Sequence, residues 1–150
     1  MKNTVVIDAS IAVKWVIDEN DSDRAAALLA RWFVEGTTLL APALLIYEVT
    51  NAVYQRVRNG IFDSDDARQA LENVLLAELE LVFPNNSTLS VRATELAQQY
   101  GLPATYDAHY LALAEHEQCE YWTADTRLWS LVKDKLAWVR WLSDYQPDTP

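Results

Sequence analysis

Four acidic residues stand where the surrounding pattern calls for neutral or apolar ones. Asp8 ends the β-branched run TVVID at Thr4–Asp8, and Glu48 interrupts an inward stripe that Leu45 and Ala52 define on a helical segment. Asp107 lies one turn before Leu111 in TYDAHYLALA, Thr105–Ala114, and Asp125 comes directly after the short run EYWTA. Each has a local explanation. Asp8 suits a turn or a cap, Glu48 an ion pair with an Arg, and Asp107 and Asp125 helix caps. Gathered in one pocket, however, four carboxylates repel one another and need compensation. A hard divalent cation, Mg²⁺ or Mn²⁺, supplies it through oxygen ligands while keeping several waters. His109 and His116 are the other candidates for proton transfer. His109 stands two residues from Asp107 and so on another helix face, and no catalytic histidine is expected.

The elements that must position these acids follow from periodicity. Thr4–Asp8 is too short for a helix and reads as a buried strand. A helix over 10–17 comes next, begun by a Ser10 cap, with Ile11, Trp15 and Val16 inward. In an open parallel sheet, ligands gather outside the carboxyl ends of strands, which is where Asp8 would lie. After these come a helix over 24–35, with Ala27, Leu28, Arg31 and Trp32 sharing a side and Gly36 as its stop, and a strand over 39–41. Pro42 suits the first turn of a helix reaching Gly60. Ser64, Asp65 and Asp66 open another, whose core face is Ala67, Leu71, Val74 and Leu75. A third strand over 81–83 is broken by Pro84, and a helix over 87–100 stops at Gly101. Leu111, Leu113 and Ala114 mark the apolar side of the Asp107 helix. Beyond it are expected a strand over 120–125, a helix capped by Asp125, a last strand over 137–142, and a polar tail that frays from about residue 143. Strands alternating with helices predict an α/β sandwich on a mostly parallel sheet of four to five strands, in a single domain over residues 1–150.

Composition narrows the function classes. The chain is 51% hydrophobic, carries one cysteine, Cys119, and has no apolar run long enough for a signal peptide or a membrane span. A soluble cytoplasmic protein is expected. Its net charge of −10, from 12 basic against 22 acidic residues, disfavours loose, sequence-independent binding to nucleic acid and favours a basic protein partner. Bound cations at an acidic cluster would reverse the field locally. Lys14, Arg56, Arg58, Arg127 and Arg140 are the available phosphate partners, and none clusters with aromatics. With 3 glycines a glycine-rich phosphate loop is excluded. The tryptophans, Trp15, Trp32, Trp122, Trp129, Trp138 and Trp141, read as core or interface anchors rather than base-stacking platforms.

The segments VVIDASIAVKW, PALLIYEVTNAV, YDAHYLALA and WTADTRL together resemble the four signature segments of PIN-domain ribonucleases, most closely the VapC-like toxins of bacterial toxin–antitoxin pairs. The likeness runs from Thr4 to about Leu142. It implies a three-layer α/β/α sandwich and a metal-dependent endoribonuclease in which Asp8, Glu48, Asp107 and Asp125 form a Mg²⁺ or Mn²⁺ site. Asp8 and Asp107 are the implied direct ligands. Glu48 and Asp125 are implied as ligands, as water-mediated ligands or as the base that orients the nucleophile, and Ser10 and Thr123 as hydroxyls that hydrogen-bond the acids. The reaction implied is hydrolysis of RNA phosphodiester bonds, with cation-activated water and a stabilised leaving oxygen. The implied partners are an RNA substrate, a cognate VapB-like antitoxin seated over the active-site groove, and a second copy in a homodimer within a larger toxin–antitoxin complex, with no membrane. Two other readings compete. One is a catalytically inactive PIN-like module acting only through protein contacts. The other is a receiver-type phosphoacceptor, ranked last because Phe83-Pro84-Asn85 offers no phosphorylatable Asp and the last strand no Lys.

Overall fold

The computed structural model describes residues 3–75 and 77–148, with the side chain of Leu75 outside the described set, so the inward role expected of Leu75 lies outside the described residues. Five parallel strands, β1 (Thr4–Ile7), β2 (Thr38–Pro42), β3 (Glu80–Val82), β4 (Glu120–Thr123) and β5 (Val139–Trp141), form one sheet in the order β3-β2-β1-β4-β5. Val5, Val6 and Ile7 are buried in the central strand. They face neighbours on both sides, Val6 lying opposite Leu40 of β2 and Tyr121 of β4. Such continuous apolar runs are what a sheet covered on both faces requires.

The chain leaves β1 toward β2 and β3, then crosses back to β4 and β5. With right-handed crossovers, these two directions place their helices on opposite faces. On one face α1 (Ala9–Val16), α2 (Ser22–Glu35), α3 (Leu44–Arg58) and α4 (Ser64–Leu75) pack on one another; on the other lie α5 (Thr88–Tyr100), α6 (Tyr106–Glu117) and α7 (Thr126–Val132). The result is the three-layer sandwich expected. The reversal between β1 and β4 is a topological switch point, where open α/β sheets form their ligand crevice.

The structure corrects several local expectations. Helix α1 begins at Ala9 with Asp8 at its N-cap, so Ser10 sits inside the first turn and is not the cap. Pro42 is the last residue of β2, paired with Val82, instead of opening α3, a place that suits a residue without an N–H. In α2 the buried residues are Ala25, Leu28 and Trp32, and Arg31 is exposed. Helix α4 begins at Ser64 and takes its cap from the residue before it: Asp63 and Asp66 each accept the other's backbone N–H, at 2.8 and 3.0 Å, a reciprocal cap. The α6 helix has no polar middle. Ala108 and Tyr110 to Ala114 are buried, because α6 lies between the sheet and α5. A helix apolar all round is a core helix.

The tail is held as far as Tyr145. A 3-10 turn, Leu142–Asp144, buries Leu142. Ser143 donates to Asp21 at 2.7 Å and accepts from Arg24 at its carbonyl, while Tyr145 sets its ring against Trp122 with centroids 6.2 Å apart. Trp32 meets the other side of Trp122 edge-to-face at 5.9 Å, and Trp129 stacks on Trp141 at 5.7 Å. These tryptophans therefore work as packing anchors.

Candidate active site

Asp8 follows β1 and has the extended backbone of an N-cap, yet its carboxylate caps nothing. It accepts instead from three hydroxyls. Ser10 donates to Oδ1, and Tyr121 and Thr123 each donate to Oδ2 at 2.6 Å. The two aliphatic hydroxyls are themselves held by backbone N–H groups that follow β4. Ala124 N donates to Ser10 Oγ at 2.8 Å, and Asp125 N to Thr123 Oγ1 at 3.0 Å. A hydrogen bond to a charged group contributes about 1.5–3 kcal/mol, so three such bonds favour the ionised form strongly. Burial outweighs them: Asp8 is 4% exposed, and its pKa is raised above the usual carboxylate value by desolvation, the hydroxyls opposing and Asp125 adding to it.

Asp125 is the N-cap of α7 that its sequence context predicts. Its Oδ1 accepts from the backbone N–H of Arg127 at 2.8 Å and of Leu128 at 3.3 Å. Among the described residues its second oxygen makes no hydrogen bond. Glu48, half-buried on α3, has no ion pair with an Arg among the described residues. Tyr110 of α6 donates to its Oε1 at 2.6 Å, and burial, then Asp8 and Asp125, push its pKa up against that hydrogen bond. Asp107, in the first turn of α6, makes no side-chain hydrogen bond among the described residues, so the cap explanation does not hold. Its pKa is pushed up to about 6 by burial, then by Asp8, Asp125 and Glu48.

Asp8, Glu48 and Asp107 thus each feel Asp125, Glu48 also feels Asp8, and Asp107 feels all three others. The fold brings together residues from two strand ends and two helices, which chain spacing alone leaves apart. Among the described residues none of the four makes an ion pair with Lys or Arg, those cations pairing elsewhere, as Lys14 and Arg56 do with Glu19 and Arg140 with Glu120. Unpaired carboxylates in partial burial are costly, and the raised pKa values are the measure of that cost. Among the described residues no three His, Cys, Asp or Glu side chains form a ready-made metal cage. The donor set is all oxygen, with free oxygens on Glu48, Asp107 and Asp125, and this chemistry fits a hard divalent cation that keeps part of its water shell.

Two residues of the site escaped sequence reasoning. Tyr110 and Tyr121 are fully buried, stacked with centroids 6.0 Å apart, and each donates to one acid. Burial and the neighbouring carboxylates raise both phenols above the ordinary tyrosine value, so they remain donors. A faint signal existed: Tyr110 is one turn after Asp107, and Tyr121 alternates with Thr123 on one face of β4. Among the described residues His109 takes part in none of the acids' hydrogen bonds. Its Nδ1 meets the Thr105 carbonyl at 2.7 Å and its Nε2 the Ser90 hydroxyl at 3.2 Å, tying α6 to α5.

Comparison with known proteins gives the family and the fold. Ribonuclease VapC3 of Pyrobaculum aerophilum is 28% identical over 124 residues, which cover 83% of this chain and 91% of that protein. A crystal structure from Pyrobaculum aerophilum superposes with a TM-score of 0.64 at 26% identity, over 87% of this chain and 80% of that one. A toxin–antitoxin complex from Klebsiella pneumoniae gives 0.58 at 16% identity over 92% and 97% of the two chains, a likeness of fold. The model of the PIN domain family matches residues 5–134, and the protein belongs to that family.

Proposed function

We propose that this protein is a metal-dependent endoribonuclease, the toxin of a toxin–antitoxin pair. The observation that carries the proposal is the cluster of four carboxylates that makes no ion pair with Lys or Arg among the described residues, in a chain of the PIN domain family. Similarity to Ribonuclease VapC3 supports RNA as substrate and a ribonuclease activity. The fold shared with a toxin–antitoxin complex is compatible with a VapB-like antitoxin and with a homodimer in a larger assembly. Among the described residues no helix is long and apolar enough to cross a membrane.

Asp8 and Asp107 are the residues proposed to hold Mg²⁺ or Mn²⁺ directly, with Glu48 and Asp125 holding it directly or through water. When bound, the cation supplies positive charge to the carboxylates, acidifies water and stabilises the phosphate and leaving oxygen. The chain's own residues do the rest. Ser10, Tyr121 and Thr123 hold Asp8 in one orientation and keep it an acceptor. Tyr110 fixes one oxygen of Glu48 and leaves the other to orient an attacking water, and Asp125 keeps one oxygen free while its partner caps α7. Asp107, without a hydrogen bond among the described residues and with its pKa near 6, keeps both oxygens available to added positive charge.

Incubation of the purified protein with total RNA tests this reading. Cleavage is expected with Mg²⁺ or Mn²⁺, none with chelator, and none from Asp107→Asn despite a normal thermal transition. Equal cleavage by that variant refutes the site. A protein that binds neither cation in calorimetry, yet captures a small basic partner, would favour the inactive interaction module.

A further inference from the structure

Beside the acids, at the same carboxyl edge of the sheet, the surface changes character. Between the ends of β2 and β3 and the N-terminal turns of α3, α5 and α6 lies an apolar cleft of about 440 Å³. Three of its lining residues are aromatic and exposed: Tyr47 at 71%, Tyr106 at 63% and Phe83 at 62%. Large apolar side chains are seldom left this open in a cluster. Tyr47 immediately precedes Glu48, and Tyr106 immediately precedes Asp107. The cleft and two of the acids are therefore carried by the same N-terminal halves of α3 and α6.

The charge distribution says what part of a substrate this cleft suits. RNA binding is ordinarily dominated by Lys and Arg on phosphates, but here Lys14 and Arg56 are paired with Glu19 and Arg140 with Glu120, which leaves Arg58 and Arg127 of the five candidates, and neither lines the cleft. Of the polar side chains in the cleft, Ser90 and His109 are committed to each other. His109 must donate from Nδ1 to the Thr105 carbonyl, which leaves Nε2 to accept from Ser90. An uncharged apolar surface with ring faces remains, and stacking of a base on an aromatic is independent of net charge.

We infer that this cleft takes a nucleobase of single-stranded RNA, stacked against Tyr47 and Tyr106, and that it thereby positions the adjoining phosphodiester over the acids. The inference rests on the ribonuclease reading for its choice of ligand. Stacking supplies the substrate affinity that a chain of net charge −10 does not obtain from phosphate contacts. Phe83 closes the cleft on the β3 side.

The test is steady-state cleavage of a single-stranded RNA in Mg²⁺ by wild type, Tyr47→Ala, Tyr106→Ala and the corresponding Phe variants. All four substitutions fall on exposed side chains, so the fold is retained. Each Ala variant is expected to lose about 5- to 150-fold in kcat/KM, mainly through KM, from a stacking contribution of about 1–3 kcal/mol per base. The Phe variants, which keep the ring face, stay near wild type. Ala variants that cleave with unchanged KM overturn the inference and leave the cleft to an apolar protein partner, as do Phe variants that fall as far as Ala. Anisotropy of a labelled oligoadenosine against an abasic oligomer in Mg²⁺ separates this outcome from failure of the nuclease reading. A wild type that cuts nothing but prefers the base-bearing oligomer, and loses that preference in both Ala variants, sinks the nuclease and keeps the stacking site. Equal binding of the two oligomers sinks the stacking site.

Discussion

The two halves of the acidic site are built on opposite plans. On the β1–β4 side Asp8 and Asp125 are held by several hydrogen bonds from α1, β4 and α7, and the Ser10 and Thr123 donors are themselves anchored to backbone. On the α3–α6 side Glu48 has a single phenol and Asp107 has no hydrogen bond among the described residues. The contrast separates two tasks. One half is preorganised, in the sense that its geometry is fixed before any ligand arrives. The other retains uncompensated repulsion, which the arrival of positive charge relieves. A site satisfied on both sides would gain little from a cation, and one strained on both sides would cost the fold its stability.

The largest expected effect comes from removing one acid from each half. Asp8→Asn and Asp107→Asn should each weaken Mg²⁺ binding in calorimetry by about 100-fold or more, since loss of groups that merely support ligands already costs about 10–100-fold. RNA cleavage should fall in parallel. If Asp107→Asn binds and cleaves within about tenfold of wild type, an order of magnitude below what loss of a ligand costs, the strained half is dispensable and the contrast loses its meaning. Next in size are the props of the ordered half. Ser10→Ala and Thr123→Val should reduce cleavage by about 10–100-fold while leaving Glu48 and Asp107 in place. Both should also cost folding stability, because Ser10→Ala strands the Ala124 N–H and Thr123→Val the Asp125 N–H, each at about 1–3 kcal/mol in denaturant titrations.

The strained half has a pH signature. Asp107 has a folded pKa of about 6, above its unfolded value, so the folded protein binds that proton more tightly than the unfolded chain. The penalty is absent below about pH 4, where both states are protonated. It grows as pH rises through the window from about 4 to 6 and is complete above it, and the raised values of Asp8 and Glu48 act in the same direction. The metal-free protein should therefore become more stable on acidification from about pH 7 toward 5. Solvent screening at this half-buried position limits the share of Asp107 to about 1 kcal/mol, or about 2–4 °C in Tm. Asp107→Asn should raise the metal-free Tm at neutral pH by that amount and flatten the profile. A lower Tm for this variant would show that Asp107 is compensated after all.

The same contrast governs how much of the site was legible in the sequence. All four acids stood out by type and context, whereas Ser10 and Thr123 followed only from the family resemblance. Asp8 and Asp125 stood out for local reasons, because the end of a buried strand and the start of a helix are recognisable from a few neighbouring residues. Their convergence with Glu48 and Asp107 depended on the strand order, which no spacing encodes. Tyr110 and Tyr121 were missed because a buried phenol looks like core until its partner across the fold is known. The misplacement of Pro42 has the same origin: a proline suits a strand end as well as a helix start, and pairing with β3 decided between them. Helix α6 looks amphipathic in sequence because Asp107 and the charged residues of its last turn flank a middle that is buried all round. Polarity alone makes the tail look frayed, whereas its contacts with Asp21, Arg24 and Trp122 are long-range.

The smallest expected effect is also the finest probe of the two plans, because it compares one phenol with the other. Tyr110→Phe removes the one hydrogen bond that Glu48 receives; Tyr121→Phe removes one of three that Asp8 receives. Both keep the stacked ring pair, so packing is nearly constant. A net hydrogen-bond contribution of about 0.5–1.5 kcal/mol translates into about a 2- to 12-fold loss of kcat for Tyr110→Phe. Tyr121→Phe should lose less, since Ser10 and Thr123 still orient Asp8, and what it does lose should appear as a further rise in the pKa of Asp8, followed by carboxyl chemical shifts. The opposite order of the two activities would mean that redundancy on the β1–β4 side is only apparent, with the buried phenol as its true support.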